Sequence, residues 1–111
     1  MYKITLNRIH DRVRITESDE HLDLRVDADP MRMVAGLTEA QRRLHTISEE
    51  MTKEQRTEIT RYFAGVIFGA DQAEQLIDFY RGDVACVIDV CGKYFSGRLA
   101  KLIEKAQKKI K

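Results

Sequence analysis

Three histidines, two cysteines and a scatter of carboxylates are the groups in this chain that could do acid–base, nucleophilic or metal chemistry. His10 stands beside Asp11, and His21 stands beside Glu20 and near Asp23. Both groups fall in polar stretches, where an imidazole stays solvated and lacks the burial or fixed neighbour that would tune it as a general base. Cys86 and Cys91 are five apart, too wide for the C-x-x-C pair of a redox or zinc site, so they read as reduced, mostly buried apolar side chains. His45 lies in a third segment, and no set of histidines and cysteines has metal-ligand spacing. No nucleophile sits with a base, and no glycine-rich phosphate loop is spelled. These residues lead us to expect no enzyme activity, no cofactor and no metal.

Arg81-Gly82-Asp83 matches a tripeptide of integrin ligands. Gly82 and Asp83 are accounted for more simply as a helix stop and the N-cap of the next helix.

Charge is more informative than any motif. After residue 92, Lys93, Arg98, Lys101, Lys105, Lys108, Lys109 and Lys111 are offset by one acid, Glu104, while Glu17, Asp19, Glu20, Asp23, Asp27 and Asp29 crowd the N-terminal part. The net charge of +1 therefore hides a dipolar molecule. Lysines at a helix C-terminus complement its macrodipole and keep a protein soluble, which needs no ligand. A basic amphipathic helix can also meet phosphates or a partner protein. Nucleic acid is the weaker of those two readings, because the lysines lack interleaved arginines and aromatics for stacking.

The elements that must carry these residues follow from periodicity. Apolar residues alternate at Tyr2, Ile4 and Leu6, at Val13 and Ile15, and at Leu22, Leu24 and Val26, which predicts a β-hairpin or three-stranded meander within residues 1–29. The turns fall in Asn7 to Arg12 and Glu17 to His21. Asp29-Pro30 predicts a helix entry. Val34, Leu37, Ala40, Leu44, Ile47 and Met51 line its face, with Thr38-Glu39-Ala40-Gln41 after Gly36 as an alternative start. Thr52 to Gln55 is a capping box opening a core helix with Ile59, Tyr62, Phe63, Val66 and Ile67 on one side, stopping at Phe68-Gly69. Asp71 to Glu74 repeats the box before a short helix with Leu76, Ile77, Phe79 and Tyr80, closed by Arg81-Gly82.

From Asp83 onward Val84, Ile88, Cys91, Phe95, Leu99, Leu102, Ala106 and Ile110 step by three or four, including two intervals of eleven, which predicts a nearly straight apolar stripe. Gly92 and Gly97 predict a kink or break near Lys93 to Gly97. The fold class is thus α+β, a small β-rich segment (1–29) and a bundle of about four helices (30–111), the last long and basic, in one domain spanning residues 1–111. At 111 residues, 43% of them apolar, the chain can bury a core without disulfides or metals. No apolar run reaches the roughly 18 residues that span a bilayer, and the start lacks a signal-peptide pattern. The expectation is a cytoplasmic protein with no membrane partner.

Ile67-Phe68-Gly69-Ala70-Asp71, Phe79-Tyr80-Arg81-Gly82-Asp83 and the amphipathic helix ending Lys109-Ile110-Lys111 resemble small tail-assembly-chaperone-like proteins of phages and prophages in Gram-positive bacteria. Tyr2 to Leu6 resembles the strand with which those proteins often open, whereas the acidic stretch Arg12 to Asp27 departs from the pattern. The resemblance implies a non-enzymatic protein of the bacterial host cytoplasm that binds other phage tail components during assembly; self-association or docking onto another protein is what the apolar stripe of the last helix itself suggests. The resemblance brings no active-site residues. A stripe reaching Ile110 is longer than the small body behind it would cover. The partner-binding residues expected on this helix are therefore Phe95, Leu99, Leu102 and Ala106, rimmed by Lys101, Lys105, Lys108 and Lys109. A nucleic-acid-associated accessory protein using those lysines is the alternative.

Overall fold

A computed structural model describes residues 1–4 and 7–108. It is an α+β fold, an antiparallel hairpin followed by four helices of which the last is long. Strands β1 (Ile9–Glu17) and β2 (Glu20–Ala28) pair from Ile9 opposite Ala28 to Glu17 opposite Glu20, turning through Ser18-Asp19 with Ser18 at φ 55°. The pleat puts Ile9, Asp11, Val13 and Ile15 on one face with Leu22, Leu24, Val26 and Ala28, and that face meets the helices. The other face is wet. There Arg14 clamps Asp23 at 2.7 and 3.1 Å, and Arg8 reaches Asp27 at 2.9 Å.

A meander is excluded among the described residues. Tyr2 and Ile4 form no strand and stand exposed, and Leu6 lies outside the described residues. The predicted turn at Asn7 to Arg12 is instead largely strand, since His10 and Arg12 take outward positions that suit polar side chains.

Helix α1 (Pro30–Leu44) starts where Asp29 caps the Met31 N–H at 3.0 Å, and it runs unbroken through Gly36. A Cβ at Gly36 would lie 2.8 Å from a Val66 methyl, so the glycine lets α1 approach the next helix. The helix ends at Leu44, which leaves Ile47 and Met51 in the following loop rather than on its face. Arg56 holds that loop by donating to the Glu49 and Met51 carbonyls. Helix α2 (Lys53–Phe68) opens with both halves of the Thr52–Gln55 capping box, 3.1 and 2.9 Å, and stops at Gly69, φ 87°.

Helix α3 (Ala70–Phe79) follows at once, so Asp71 lies inside it and caps nothing. The would-be box is used elsewhere. Glu74 pairs with Arg61, and the Gln72 amide accepts from the Arg25 N–H at 2.7 Å while donating to the Arg25 and Phe68 carbonyls, each at 2.6 Å. One side chain thus satisfies both backbone groups of Arg25 on the outer edge of β2. Arg81 and Gly82, both at positive φ, close α3, and the Gly82 N–H returns to the Ile77 carbonyl at 3.0 Å.

The last helix comprises α4 (Val84–Tyr94), a π-helical turn (Phe95–Leu99) and α5 (Ala100–Lys108), continuous over 25 residues. The predicted break is therefore a one-residue insertion. The Ala100 N–H reaches back to the Phe95 carbonyl, and the Ser96 hydroxyl donates to the Gly92 carbonyl at 3.0 Å. The extra residue changes the phase of everything after it. The buried positions run Val87 and Cys91 before it, then Leu99, Ile103 and Ala106. Val84 and Ile88 are only half-buried, and Ile110 lies outside the described residues.

Candidate partner-binding surface

The last helix is held to the hairpin by a polar cluster inside an apolar row. Strand alternation places Asp11 between Ile9 and Val13 on the inward face, and its side chain is 6% exposed. Arg98 donates to its two carboxylate oxygens at 2.6 and 2.9 Å, and the Tyr94 hydroxyl donates at 2.7 Å. The Arg98 guanidinium holds the Asp11 carboxyl below the usual carboxylate range, while burial, aided by Asp11, pushes the Tyr94 phenol up. The Tyr94 ring stacks on Phe68 with centroids 5.7 Å apart. A carboxylate held by two guanidinium donors and a phenol is a weak base, and the cluster ties the last helix to β1.

The other polar groups singled out in the sequence do not converge. His10 Nδ1 is 3.6 Å from Asp27 and His21 Nε2 is 3.8 Å from Asp23, all four side chains more than half exposed on the outer face of the hairpin. Cys91 is buried, which pushes its thiol up to about 12, and Cys86 is raised by its hydrogen bond with Asp83 and by partial burial. Among the described residues no three of His, Cys, Asp and Glu gather as a metal site. Arg81-Gly82-Asp83 is the helix stop and N-cap its residues suggest, with the Cys86 N–H on Asp83 at 3.3 Å.

The surface opens instead between α1 and the last helix. An apolar groove of about 400 Å³ runs there, lined by Val34, Leu37 and Leu44 of α1, Phe63 beneath, and Phe95 and Ile103 opposite. Phe95 stands at its lip, 36% exposed.

Of the expected contact residues, Phe95 is accessible and Leu102 is half-buried against the core, whereas Leu99 is fully buried and Ala106 is buried. The stripe is therefore not a free surface: Leu99 is buried in the core, and α1 and β1 pack against α5, which carries Ala106. Lys101, Lys105 and Lys108 are exposed, Lys108 pairing with Glu104 at 3.1 Å; Lys109 lies outside the described residues. Leu102, Lys105 and Ala106 also border a smaller cleft of about 330 Å³ with Arg8 and His10.

Sequence reasoning missed the α1 half of the groove. Its signal was present in the Val34, Leu37, Leu44 spacing, but those residues were read as facing the core. None of the described helices is long and apolar enough to cross a membrane. Compared with known proteins, the chain matches no family model, no curated protein and no solved structure.

Proposed function

We propose that this chain is a non-enzymatic protein-interaction protein of phage or prophage type, a tail assembly chaperone or tail accessory component that binds through its last helix. The observation that carries the interaction part is the open apolar groove with Phe95 at its lip, bordered by the polar side chains of Thr38 and Gln41. An apolar centre with a polar rim is the usual anatomy of a protein contact. The tail-assembly part rests on the resemblance of residues 67–111. The helix stop at Gly69 and the Arg81-Gly82-Asp83 joint are consistent with it.

The test is co-purification with the tail components encoded beside this gene. The expected result is a complex of defined stoichiometry that Phe95→Glu dissolves while the circular dichroism of the chain is unchanged. A gene neighbourhood without tail genes, together with no complex, overturns the reading. Binding to DNA that falls steeply with salt and is lost when Lys101, Lys105, Lys108 and Lys109 become glutamine would favour the nucleic-acid alternative.

A further inference from the structure

We infer that the occupant of the groove is a second copy of this chain, docked with its last helix antiparallel to the first about a two-fold axis near Phe95 and Ser96. The inference deepens the interaction reading and rests on it.

Three observations carry it. The described part of the helix, Val84–Lys108, spans about 37 Å, with Phe95 and Ser96 midway along it. Exposed apolar surface lying on the symmetry axis is what an isologous contact needs, since the centre of the patch must meet itself, and Phe95 is the exposed large apolar side chain of the described part of this helix.

The charge is also arranged for that symmetry. The hairpin tip packs beside the start of the helix, where the Tyr80 hydroxyl is 3.5 Å from Glu17, so Glu17, Asp19, Glu20 and Asp83 share one end, while Asp89 pairs with Lys93 at 3.0 Å. The base of the hairpin lies beside the end of the helix, where Arg8 and His10 share a cleft with Lys105. Lys101, Lys105 and Lys108 stand exposed at this opposite end. An antiparallel pair sets the acidic end of each copy against the basic end of the other twice, whereas a parallel pair sets like against like.

The glycines agree with close approach. Gly92 and Gly97 flank the midpoint inside a helix, and a Cβ at either would meet nothing within 4 Å. Each costs on the order of 1 kcal/mol relative to alanine, and no contact within the chain requires it.

Sedimentation equilibrium of the full chain tests this directly. The expected result is a dimer at about 100 µM that weakens by about tenfold or more with Lys101→Glu plus Lys105→Glu. Adding Glu17→Lys and Glu20→Lys to the same chain should restore most of the loss, because the complementary ends are then exchanged. Ser96→Cys, in a Cys86→Ala background, should cross-link to itself under mild oxidation, while Thr57→Cys in the same background should not. A chain that stays monomeric overturns the inference, and so does a dimer that resists both the charge exchange and Phe95→Glu. A monomer that still binds a tail component overturns the second copy alone and leaves the interaction reading standing.

Discussion

Arg98 and Asp11, 87 residues apart in the chain, meet through two hydrogen bonds of 2.6 and 2.9 Å. The contact ties the π-helical turn of the last helix to the inward face of β1, while the neighbouring Leu99 enters the core. Asp11→Asn should lower stability by about 1 to 3 kcal/mol at pH 7, the range for spoiling a buried hydrogen-bonded acceptor. Because the folded carboxyl titrates below its unfolded value of about 3.9, its contribution is complete above that pH and is lost as the pH falls through the folded value. Denaturant titrations of wild type and variant should therefore differ at pH 7 and draw together as the pH falls through the lowered value of the folded carboxyl.

Gly36→Ala adds a methyl 2.8 Å from Val66 Cγ1. Alanine gains about 1 kcal/mol of helix propensity, but Val66 is β-branched and held near one rotamer in a helix, so overpacking of about 1 to 3 kcal/mol prevails. The single variant should be destabilised, and Val66→Ala should recover part of the loss in a double-mutant cycle. At Gly65, where an added Cβ meets nothing within 4 Å, alanine should instead stabilise by about 0.5 to 1 kcal/mol.

Gln72→Ala removes the amide that bridges Arg25 to the helices. We expect about 1 to 2 kcal/mol of destabilisation and faster hydrogen exchange at the Arg25 amide. Gln72→Glu should be worse, since a carboxylate meets the Arg25 carbonyl without a proton to offer. Unchanged exchange at Arg25 would contradict this role.

The two thiols should separate by reactivity. Burial raises Cys91 to about 12, so at pH 8 it should react with a disulfide reagent only at the rate of unfolding. Cys86 is half-buried and raised by Asp83, so it should react first but more slowly than a free thiol. Asp83→Asn should speed Cys86 and leave Cys91 silent while the fold is intact.

Much of this molecule was legible in local patterns. Asp29-Pro30, the Thr52–Gln55 box, the stop at Gly69 and the Gly82-Asp83 joint are decided by hydrogen bonds and dihedral preferences within a few residues, and each appears where the residues place it. The two hairpin strands follow from alternation, and the α+β class follows from the switch of apolar period after Asp29. A capping box is only a local offer, however. At Asp71 the helix already begins after Gly69, and Gln72 and Glu74 serve β2 and α2 instead.

What the tertiary structure alone decided is the surface. The stripe from Val84 onward was read with an uninterrupted helical period, and one residue inserted at Phe95–Leu99 turns the helix by about 100°. Beyond the insertion Ile103 rather than Leu102 is core, and Phe95 is left at a groove whose other wall is α1. Periodicity records which residues are apolar along one element, but which of them stay uncovered depends on how two elements far apart in the chain come to lie beside each other. Asp11 shows the same limit. Its letter is polar and its position is inward, and only the arrival of Arg98 and Tyr94 makes that position tenable.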